Sequence, residues 1–476
     1  MSFSSKKHFI LFSLFLFVAL QACKDDPALP DNLIGFESNQ LGFTSTENEI
    51  TLQVKFTYPA YESGTVLINI LAEGLVYDTD FTTEPATVSN ALSIPFLAGE
   101  TAKSIKVIKK PGLLVDGDEN IGFTLASAPA GTILGPNPSL KLTFAEIISA
   151  SGAATVDGGG ATYPNKVFID LSANRQVAIP RTGWDLGFAA GNEFRVILNA
   201  SNGMMAIATD KNSMAAVTAA DTAGLSTRLS LNAVFAAINL DPVPDWVPNA
   251  ITWIDDPSGN LSKTALAEIN TTDSENKVYI VNLGNGPGTP APELGWKKIR
   301  VLRKAAGYTL QHADIGSATF TEVSITKDNN FNFQYVDFEK GLVQVEAQKD
   351  KWDISWTGFT NSTNFGSGPV PYYFQDIVLQ NTHQVQTAQV LTSAIAYEAF
   401  SETNLATLDF GTQSQVKIGP NWRSGGGPGA APAIRTDRFY IIKDAAGNVY
   451  KLRFTALTSD GERGKPKYEY SLVKKG

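Results

Sequence analysis

One pattern, written twice, decides the fold of this chain. Its first copy is Val167-Phe-Ile-Asp-Leu171 followed by Trp184-Asp-Leu-Gly-Phe188, and its second copy is Tyr335-Val-Asp-Phe338 followed by Trp352-Asp-Ile-Ser-Trp356. Short apolar runs bounded by turn residues predict buried β-strands. Motifs that recur in the same order, at an offset of about 160 residues, indicate an internal repeat.

The repeat continues beyond these motifs. Each Trp-Asp segment leads to another apolar run that ends in asparagine, at Phe194–Asn199 and at Phe374–Asn381. In such strands we expect the Trp to face the core, and the Asp to face the opposite side, where it can accept hydrogen bonds from a neighbouring turn. The sequence therefore predicts two related β-rich repeats, residues 163–328 and 329–476.

Two segments within the repeats lack the alternation of a strand. They are Ser213–Ala220 and Thr387–Tyr397, both rich in alanine. We expect short helices there.

The preceding part of the chain, residues 34–148, predicts a separate domain. Segments such as Ile50–Thr57 and Ser104–Ile108 alternate apolar and polar residues, which is typical of an antiparallel β-sandwich. Residues 149–162 are small and glycine-rich, as in a flexible linker. The predicted fold class is mainly all-β: an N-terminal β-sandwich, then a β-rich region of two related repeats with minor helices.

The predicted sandwich resembles a Calx-beta domain in the order of its motifs, which include Glu62–Val66, Tyr77–Phe81, Asp116–Leu125 and Pro129–Gly135. Calcium-binding members cluster carboxylates at one end of the sandwich, and carboxylate oxygens suit Ca²⁺. The alternative, which we favour, is a spacer or adhesive module without metal, because acidic turn residues are usually solvated turn formers. The calcium-ligand candidates that the resemblance implies are Glu62, Asp80, Asp116, Asp118 and Glu119.

The start of the chain predicts export and a lipid anchor. After Lys6 and Lys7, the apolar run Phe9–Leu20 is too short for a membrane-spanning helix, which needs about 20 residues. Leu20-Gln-Ala-Cys23 resembles the lipobox of bacterial lipoproteins, in which the cysteine carries the lipid; Cys23 is the single cysteine of the chain. The alternative is an ordinary signal peptide followed by a free thiol.

The residues after the cysteine predict where the protein is sent. Lys24-Asp-Asp26 resembles the acidic signal of surface-exported lipoproteins of Bacteroidota. We therefore expect a signal peptide at 1–22, a tether at 23–33, and a lipid-anchored protein of the outer membrane, exposed at the cell surface. The formal net charge of −9 argues against nucleic acid as a partner.

The repeat region resembles the HmuY family of haem-capturing surface lipoproteins. The resemblance rests on Trp184–Phe188, on the Asn199-ended strand with its Gly/Met loop, and on the closing segments Asp444–Phe454 and Gly461–Gly464. It implies capture of haem, or of a similar small apolar ligand, for an outer-membrane haem transporter. The alternative is a cell-surface adhesion or glycan-contact protein with no haem site.

Family members bind haem iron through His or Met on loops, so the loops after the two asparagines supply the candidates. Met204 and Met205 follow Asn199, and His383 follows Asn381, at comparable points in the two repeats. His312 lies in a predicted strand and is the weaker candidate. The alternative is a purely structural role, in which the methionines pack in the core and His383 is solvated.

The sequence lacks the motifs of common enzymes: Gly-x-Ser-x-Gly, His-Glu-x-x-His and the phosphate-binding loop with its lysine. We therefore expect a binding protein and not an enzyme.

Overall fold

The computed structural model describes residues 30–43, 47–110, 119–144, 149–366, 368–425 and 431–476. The predicted signal peptide, Cys23, and the calcium candidates Asp116 and Asp118 lie outside the described residues. The chain divides into two compact units, Met1–Ile147 and Ile148–Gly476. The prediction of a mainly β fold with few short helices is confirmed. Within the described ranges, no helix is long and apolar enough to cross a membrane.

The first unit is built from two five-stranded sheets. Its strands are β1 Leu33–Phe36, β2 Gln40–Gly42, β3 Glu49–Phe56, β4 Gly64–Glu73, β5 Phe81–Glu84, β6 Ala91–Phe96, β7 Ala102–Lys109, β8 Asn120–Ser127, β9 Ile133–Leu134 and β10 Ser139–Thr143. One sheet has the order β5-β7-β3-β1-β9 and the other β2-β10-β8-β4-β6.

Alternation along these strands produces the core of the first unit. In β4, Val66, Ile68 and Ile70 are buried while the residues between them are exposed. They pack in one hydrophobic cluster with residues of the other sheet, such as Val54 of β3. Burying a side chain of this size contributes about 1.5–3 kcal/mol, so the two-residue period of the sequence is sufficient to hold the sheets together.

The second unit is larger and holds four main sheets and one short two-stranded sheet among its described residues. Its strands are β11 Ser151–Thr155, β12 Asn165–Asp170, β13 Arg175–Pro180, β14 Leu186–Ala189, β15 Val196–Leu198, β16 Met205–Ala208, β17 Tyr279–Asn282, β18 Trp296–Lys304, β19 Gly307–Asp314, β20 Thr321–Thr326, β21 Phe333–Asp337, β22 Gly341–Val343, β23 Ile354–Asn364, β24 Pro369–Gln380, β25 Gln386–Leu391, β26 Arg423–Ser424, β27 Ala433–Ile434, β28 Arg438–Lys443, β29 Val449–Ala456 and β30 Lys467–Lys474. The sheet orders are β11-β30-β29-β28-β25, β13-β12-β23-β24, β15-β14-β21-β22, β16-β17-β18-β19-β20 and the short pair β26-β27.

Helical segments in this unit are short. The α-helix is α1, Leu231–Ala237, and the 3₁₀ helices are Met214–Ala216, Ala219–Thr222, Val247–Trp253, Leu261–Lys263, Asp273–Glu275 and Glu402–Thr407. The helical prediction for Ser213–Ala220 is therefore confirmed as 3₁₀ turns. The prediction for the start of Thr387–Tyr397 is wrong, because Thr387 lies in β25, which pairs with β28 and buries Ala388 and Val390.

Part of the predicted linker 149–162 is also a strand. Residues 151–155 form β11, which pairs antiparallel with β30 at the edge of its sheet. Gly152 lies against the ring of Tyr470, and a Cβ at this position would collide with that ring. The small residues therefore permit close packing here, as well as flexibility.

The two predicted repeats exchange strands in two of the sheets, whereas β16 to β20 form a sheet within the first repeat. Strand β12 of the first repeat pairs with β23 of the second, with Phe168 opposite Ser355. Strand β14 of the first repeat pairs with β21 of the second, with Leu186 opposite Val336. Each repeat therefore completes a sheet of the other.

The aspartates of the Trp-Asp pairs form hydrogen bonds between the two repeats. Asp185 Oδ2 accepts a hydrogen bond from the backbone N–H of Phe338 at 2.7 Å, and Asp353 Oδ2 accepts one from Leu171 N–H, also at 2.7 Å. Trp184 and Trp352 are both buried. The prediction that the Trp is buried and that the Asp binds a neighbouring turn is confirmed, and the turn belongs to the other repeat in both cases.

Candidate ligand-binding site

A cavity of about 330 Å³ lies where the repeats exchange strands. Strands β14, β15, β21, β23 and β24 contribute lining residues, and residues 255–264 line it as well. The volume lies within the range of ligand pockets, roughly 300–1,000 Å³. Both repeats are needed to form it, because its walls come from strands of each.

Aromatic side chains form much of the wall. Trp184 and Tyr335 pack edge to face, with ring centroids 4.9 Å apart, and Trp352 packs in the same way against Phe168 at 5.0 Å. Phe333 also lines the cavity and packs against Tyr335. The two tryptophans come from equivalent places in the repeats, so the repeat motif itself supplies this part of the wall.

The turn at the end of β15 is built by Asn199. Its Nδ2 donates to the carbonyls of Arg181 and Trp184, each at 2.7 Å, and its Oδ1 accepts the backbone N–H of Ser201 at 3.0 Å. The side chain is fully buried, so these bonds replace water at backbone groups that would otherwise lack a partner.

Asn381, at the end of β24, builds the same turn. Its Nδ2 donates to the carbonyls of Lys349 and Trp352, each at 2.8 Å, and its Oδ1 accepts the backbone N–H of His383 at 2.9 Å. The residue that corresponds to His383 is therefore Ser201. Placing Met204 or Met205 at the point comparable to His383 was wrong, because the bond to the asparagine fixes the position within the turn.

The four haem-ligand candidates lie in different environments. His383 is half-buried and lines the cavity, where burial and the nearby Lys349 lower its pKa. Met204 and Met205 are buried in two different hydrophobic clusters and are not among the residues that line the cavity. His312 lies in β19 and stacks on Phe338 at 5.0 Å between ring centroids. The structure does not bring the four together.

Two carboxylates that the sequence did not point to also line the cavity. Glu346 Oε1 accepts the backbone N–H groups of Asn332 at 2.8 Å and Phe333 at 3.0 Å. Asp255 accepts two backbone N–H groups, at 2.6 and 2.9 Å. Burial raises the pKa of each to about 7, although the hydrogen bonds act in the opposite direction.

Lys166 lies among the aromatic side chains. Its Nζ is 4.9 Å from the ring centroid of Phe168 and 5.8 Å from that of Trp184. Burial lowers its pKa to about 8, and the charge of Glu346 raises it in part. One sequence signal could have identified this residue: in β12, Lys166 directly precedes the apolar residues that are fully buried.

Several buried polar atoms of the lining residues have no hydrogen-bond partner within the described part of the chain. They are Trp184 Nε1, Trp352 Nε1, Ser355 Oγ and Gln380 Oε1. An unsatisfied buried polar atom costs about 1–3 kcal/mol, which a ligand group that partnered it would offset. Other such atoms lie outside the lining, among them Trp356 Nε1 and the Tyr440 hydroxyl.

The lining offers one residue of the kind that would hold haem iron. His383 is the one His or Met among the described residues that line the cavity, and its imidazole is a suitable ligand for iron. The corresponding turn offers the hydroxyl of Ser201, which is 3.1 Å from Thr357 Oγ1 and is not a soft donor. The residues present therefore fit a haem bound by one imidazole and do not fit one bound between two soft ligands.

The calcium candidates in the first unit are dispersed where the structure describes them. Asp80 binds the backbone N–H of Val76 at 2.7 Å, and Glu119 lies beside Gly74. Glu62 is exposed and lies beside Gly131. Among the described residues, no three His, Cys, Asp or Glu side chains are grouped to hold a metal ion. Calcium binding stays a prediction, since two of its five candidates lie outside the described ranges.

Fold and cavity together define a class of protein: an all-β protein in which two sequence repeats exchange strands around a cavity. The HmuY family model, described as HmuY protein, matches residues 162–314 and 329–470, which is more than half of the chain. The chain belongs to the HmuY family. No curated protein is significantly similar to it.

Solved structures match only weakly. The apo form of the Calx CBD1 domain is 15% identical, with 24% of this chain and 96% of that chain covered and a TM-score of 0.21. CBD12 from CALX1.2 is 11% identical, with 31% and 71% covered and a TM-score of 0.20. A putative carbohydrate binding protein from Bacteroides ovatus is 11% identical, with 93% and 98% covered and a TM-score of 0.17. At these scores the matches carry no functional argument.

Proposed function

We propose that this chain is a surface-exposed, lipid-anchored binding protein that captures haem, or a similarly flat apolar ligand, in the cavity and delivers it to an outer-membrane transporter. The observation that carries the proposal is the cavity of a HmuY-family chain, walled by aromatic side chains and reached by His383. The protein binds its ligand without catalysing a reaction on it, and the first unit serves as a spacer.

His383 is the residue that would hold the iron. Its backbone is fixed by Asn381, and burial keeps its imidazole neutral over a wider pH range because its pKa is lowered. A neutral imidazole has the free lone pair that iron requires. Bound haem would supply an iron centre that accepts this lone pair, and Trp184, Trp352 and Phe333 would exclude water around it.

A haemin titration of the purified protein tests this function. We expect a saturable Soret shift for the wild type and its loss in His383→Ala. Met204→Leu and His312→Gln serve as matched controls and are expected to bind as the wild type does, since neither side chain lines the cavity. Absence of a saturable shift would reject haem capture. A shift that survives His383→Ala, or disappears in a control, would reject the ligand assignment.

The anchor rests on the sequence around Cys23. A single cysteine at the end of a lipobox-like motif, followed by an acidic signal, supports lipid attachment and export to the surface. We expect the wild type in the outer-membrane fraction and accessible to protease on intact cells. Cys23→Ser should move the protein to the soluble fraction. Membrane retention of Cys23→Ser would contradict a lipid anchor at this residue.

A further inference from the structure

The hydrogen-bonding groups around the cavity are unequally satisfied. Asp255 accepts one backbone N–H at each carboxylate oxygen, and Glu346 accepts two at Oε1. The indole N–H groups of Trp184 and Trp352 are buried and have no acceptor within the described residues. The Lys166 ammonium makes no hydrogen bond or ion pair within that part of the chain either. Three donors of the lining therefore lack an acceptor, whereas Gln380 Oε1 is the acceptor without a donor among the described lining residues.

These three donors belong to neighbouring side chains, and we call the part of the cavity that they line the Lys166 end. The Lys166 ammonium lies 5.8 Å from the Trp184 ring centroid and 4.9 Å from that of Phe168, and Phe168 in turn packs against Trp352 at 5.0 Å. All three residues line the cavity. Trp184 and Trp352 are more than nine-tenths buried, so bulk solvent does not supply a partner for their N–H groups.

We propose that this end of the cavity binds a carboxylate of the ligand, with Lys166 as the counter-ion and the indole N–H groups of Trp184 and Trp352 as donors. An oxyanion offers several lone pairs at one point, which is the complement of an ammonium and two N–H groups. The unpartnered hydroxyl of Ser355 is a further donor. The proposal rests on the proposed function and deepens it: the ligand is a flat molecule that bears an acid group, as haem is.

The charges facing Lys166 predict how binding depends on pH. Burial raises the pKa of Glu346 to about 7 and lowers that of Lys166 to about 8. Below pH 7, Glu346 is largely neutral while Lys166 is charged, so a ligand carboxylate meets an unopposed cation. Above pH 8, Lys166 loses its charge, and binding should weaken. The other titratable residues that line the cavity are Glu193, Asp255, Asp256, Tyr335, Lys349 and His383.

Two matched pairs of probes test the proposal. The first pair is haemin and haemin dimethyl ester, which share ring and iron but differ in free carboxylates; the second is 1-naphthoate and the neutral 1-naphthamide. We expect the acid of each pair to bind about tenfold or more tightly at pH 6.5. Lys166→Met should remove that preference. Lys141→Met, on an exposed strand position of the first unit, is the control and should keep it.

The indole resonances provide a readout that a merely structural role would not move. In ¹⁵N-labelled protein, assigned through Trp184→Phe and Trp352→Phe, saturating 1-naphthoate should shift both indole N–H signals and slow their exchange, whereas 1-naphthamide should not. If haemin binds but its ester binds equally and Lys166→Met has no effect, the carboxylate site is overturned while haem capture stands. If haemin does not bind but 1-naphthoate does so through Lys166, haem capture falls and the carboxylate site stands. If no acid binds, both are wrong.

Discussion

The turns after Asn199 and Asn381 share the hydrogen bonds of the asparagine side chain but differ in the residue that follows two positions later. In each, the asparagine holds the carbonyl of a tryptophan and the N–H of the second residue after itself. That second residue is Ser201, buried and bonded to Thr357, in one repeat, and the half-buried His383 in the other. Because the asparagine fixes the turn in both repeats, the residue two positions later is free to differ. A difference at this position changes which side chain lines the cavity.

The aspartates of the Trp-Asp pairs show the same division. Each accepts one backbone N–H of the other repeat at 2.7 Å. Burial raises the pKa of Asp185 to about 6. Burial raises the pKa of Asp353 well above its ordinary value, and the nearby Asp170 and Asp444 raise it further. The structural role is shared, and so is one charged neighbour, since Asp337 raises the pKa of Asp185 as Asp170 raises that of Asp353. The other neighbours differ: Lys297 and Glu339 act on Asp185, and Asp444 acts on Asp353.

The largest loss of stability is expected when the asparagine of either turn is replaced. Asn199→Ala and Asn381→Ala each remove an amide that holds two buried carbonyls and one N–H, so each should lower the free energy of unfolding by about 3 kcal/mol or more. Urea unfolding measures this loss. The exposed Asn239, which donates a single hydrogen bond to Phe235, is the control, and Asn239→Ala should cost less than about 1 kcal/mol. If one of the two turns tolerated alanine, the equivalence of the turns would be wrong.

A smaller change in the free energy of unfolding is expected from the titration of the Asp185 carboxyl. Because its pKa in the folded protein is raised above the ordinary 3.8, the folded state favours the protonated form. That stabilisation is complete below the unfolded pKa and is lost as the pH rises through about 6. Asp185→Asn should therefore flatten the fall in stability between pH 4 and 6 by about 2 kcal/mol. Urea unfolding across this window measures the difference, and parallel profiles for variant and wild type would contradict it.

Much of the fold could be predicted from local patterns. The two-residue period gave strands in the first unit, and the repeated motifs revealed the related halves, including the burial of Trp184 and the turn contact of Asp185. The exchange of β12 and β14 between repeats could not be predicted, because a strand's apolar pattern says that it is buried but not which strand it pairs with. The strand at Thr387 was missed for a related reason: its pairing with β28 outweighs its weak local alternation.

The candidate site was predicted only in part. His383 was identified because haem ligation points to histidines on loops. Lys166, Glu346 and Asp255 were not, since their meaning depends on residues far away in sequence that surround them in the fold. The sequence pointed to Met204 and not to Ser201, because a serine hydroxyl is not a typical ligand of haem iron. Its position became apparent only from the hydrogen bond to Asn199.

The smallest loss of stability is expected for Ser201→Ala, which tests whether the asparagine or the side chain two positions later holds the turn. The variant loses the 3.1 Å contact between the Ser201 and Thr357 hydroxyls but keeps the backbone bond to Asn199. We expect the free energy of unfolding to fall by about 1 kcal/mol, the usual contribution of one hydrogen bond. Ser262→Ala, which removes an exposed hydroxyl bonded to Asn260, is the control. A loss as large as that of Asn199→Ala would mean that the side chain, and not the asparagine, holds the turn. A small loss would mean that the hydroxyl of Ser201 is not needed to hold the turn, so the residue at this position is free to differ between the two repeats.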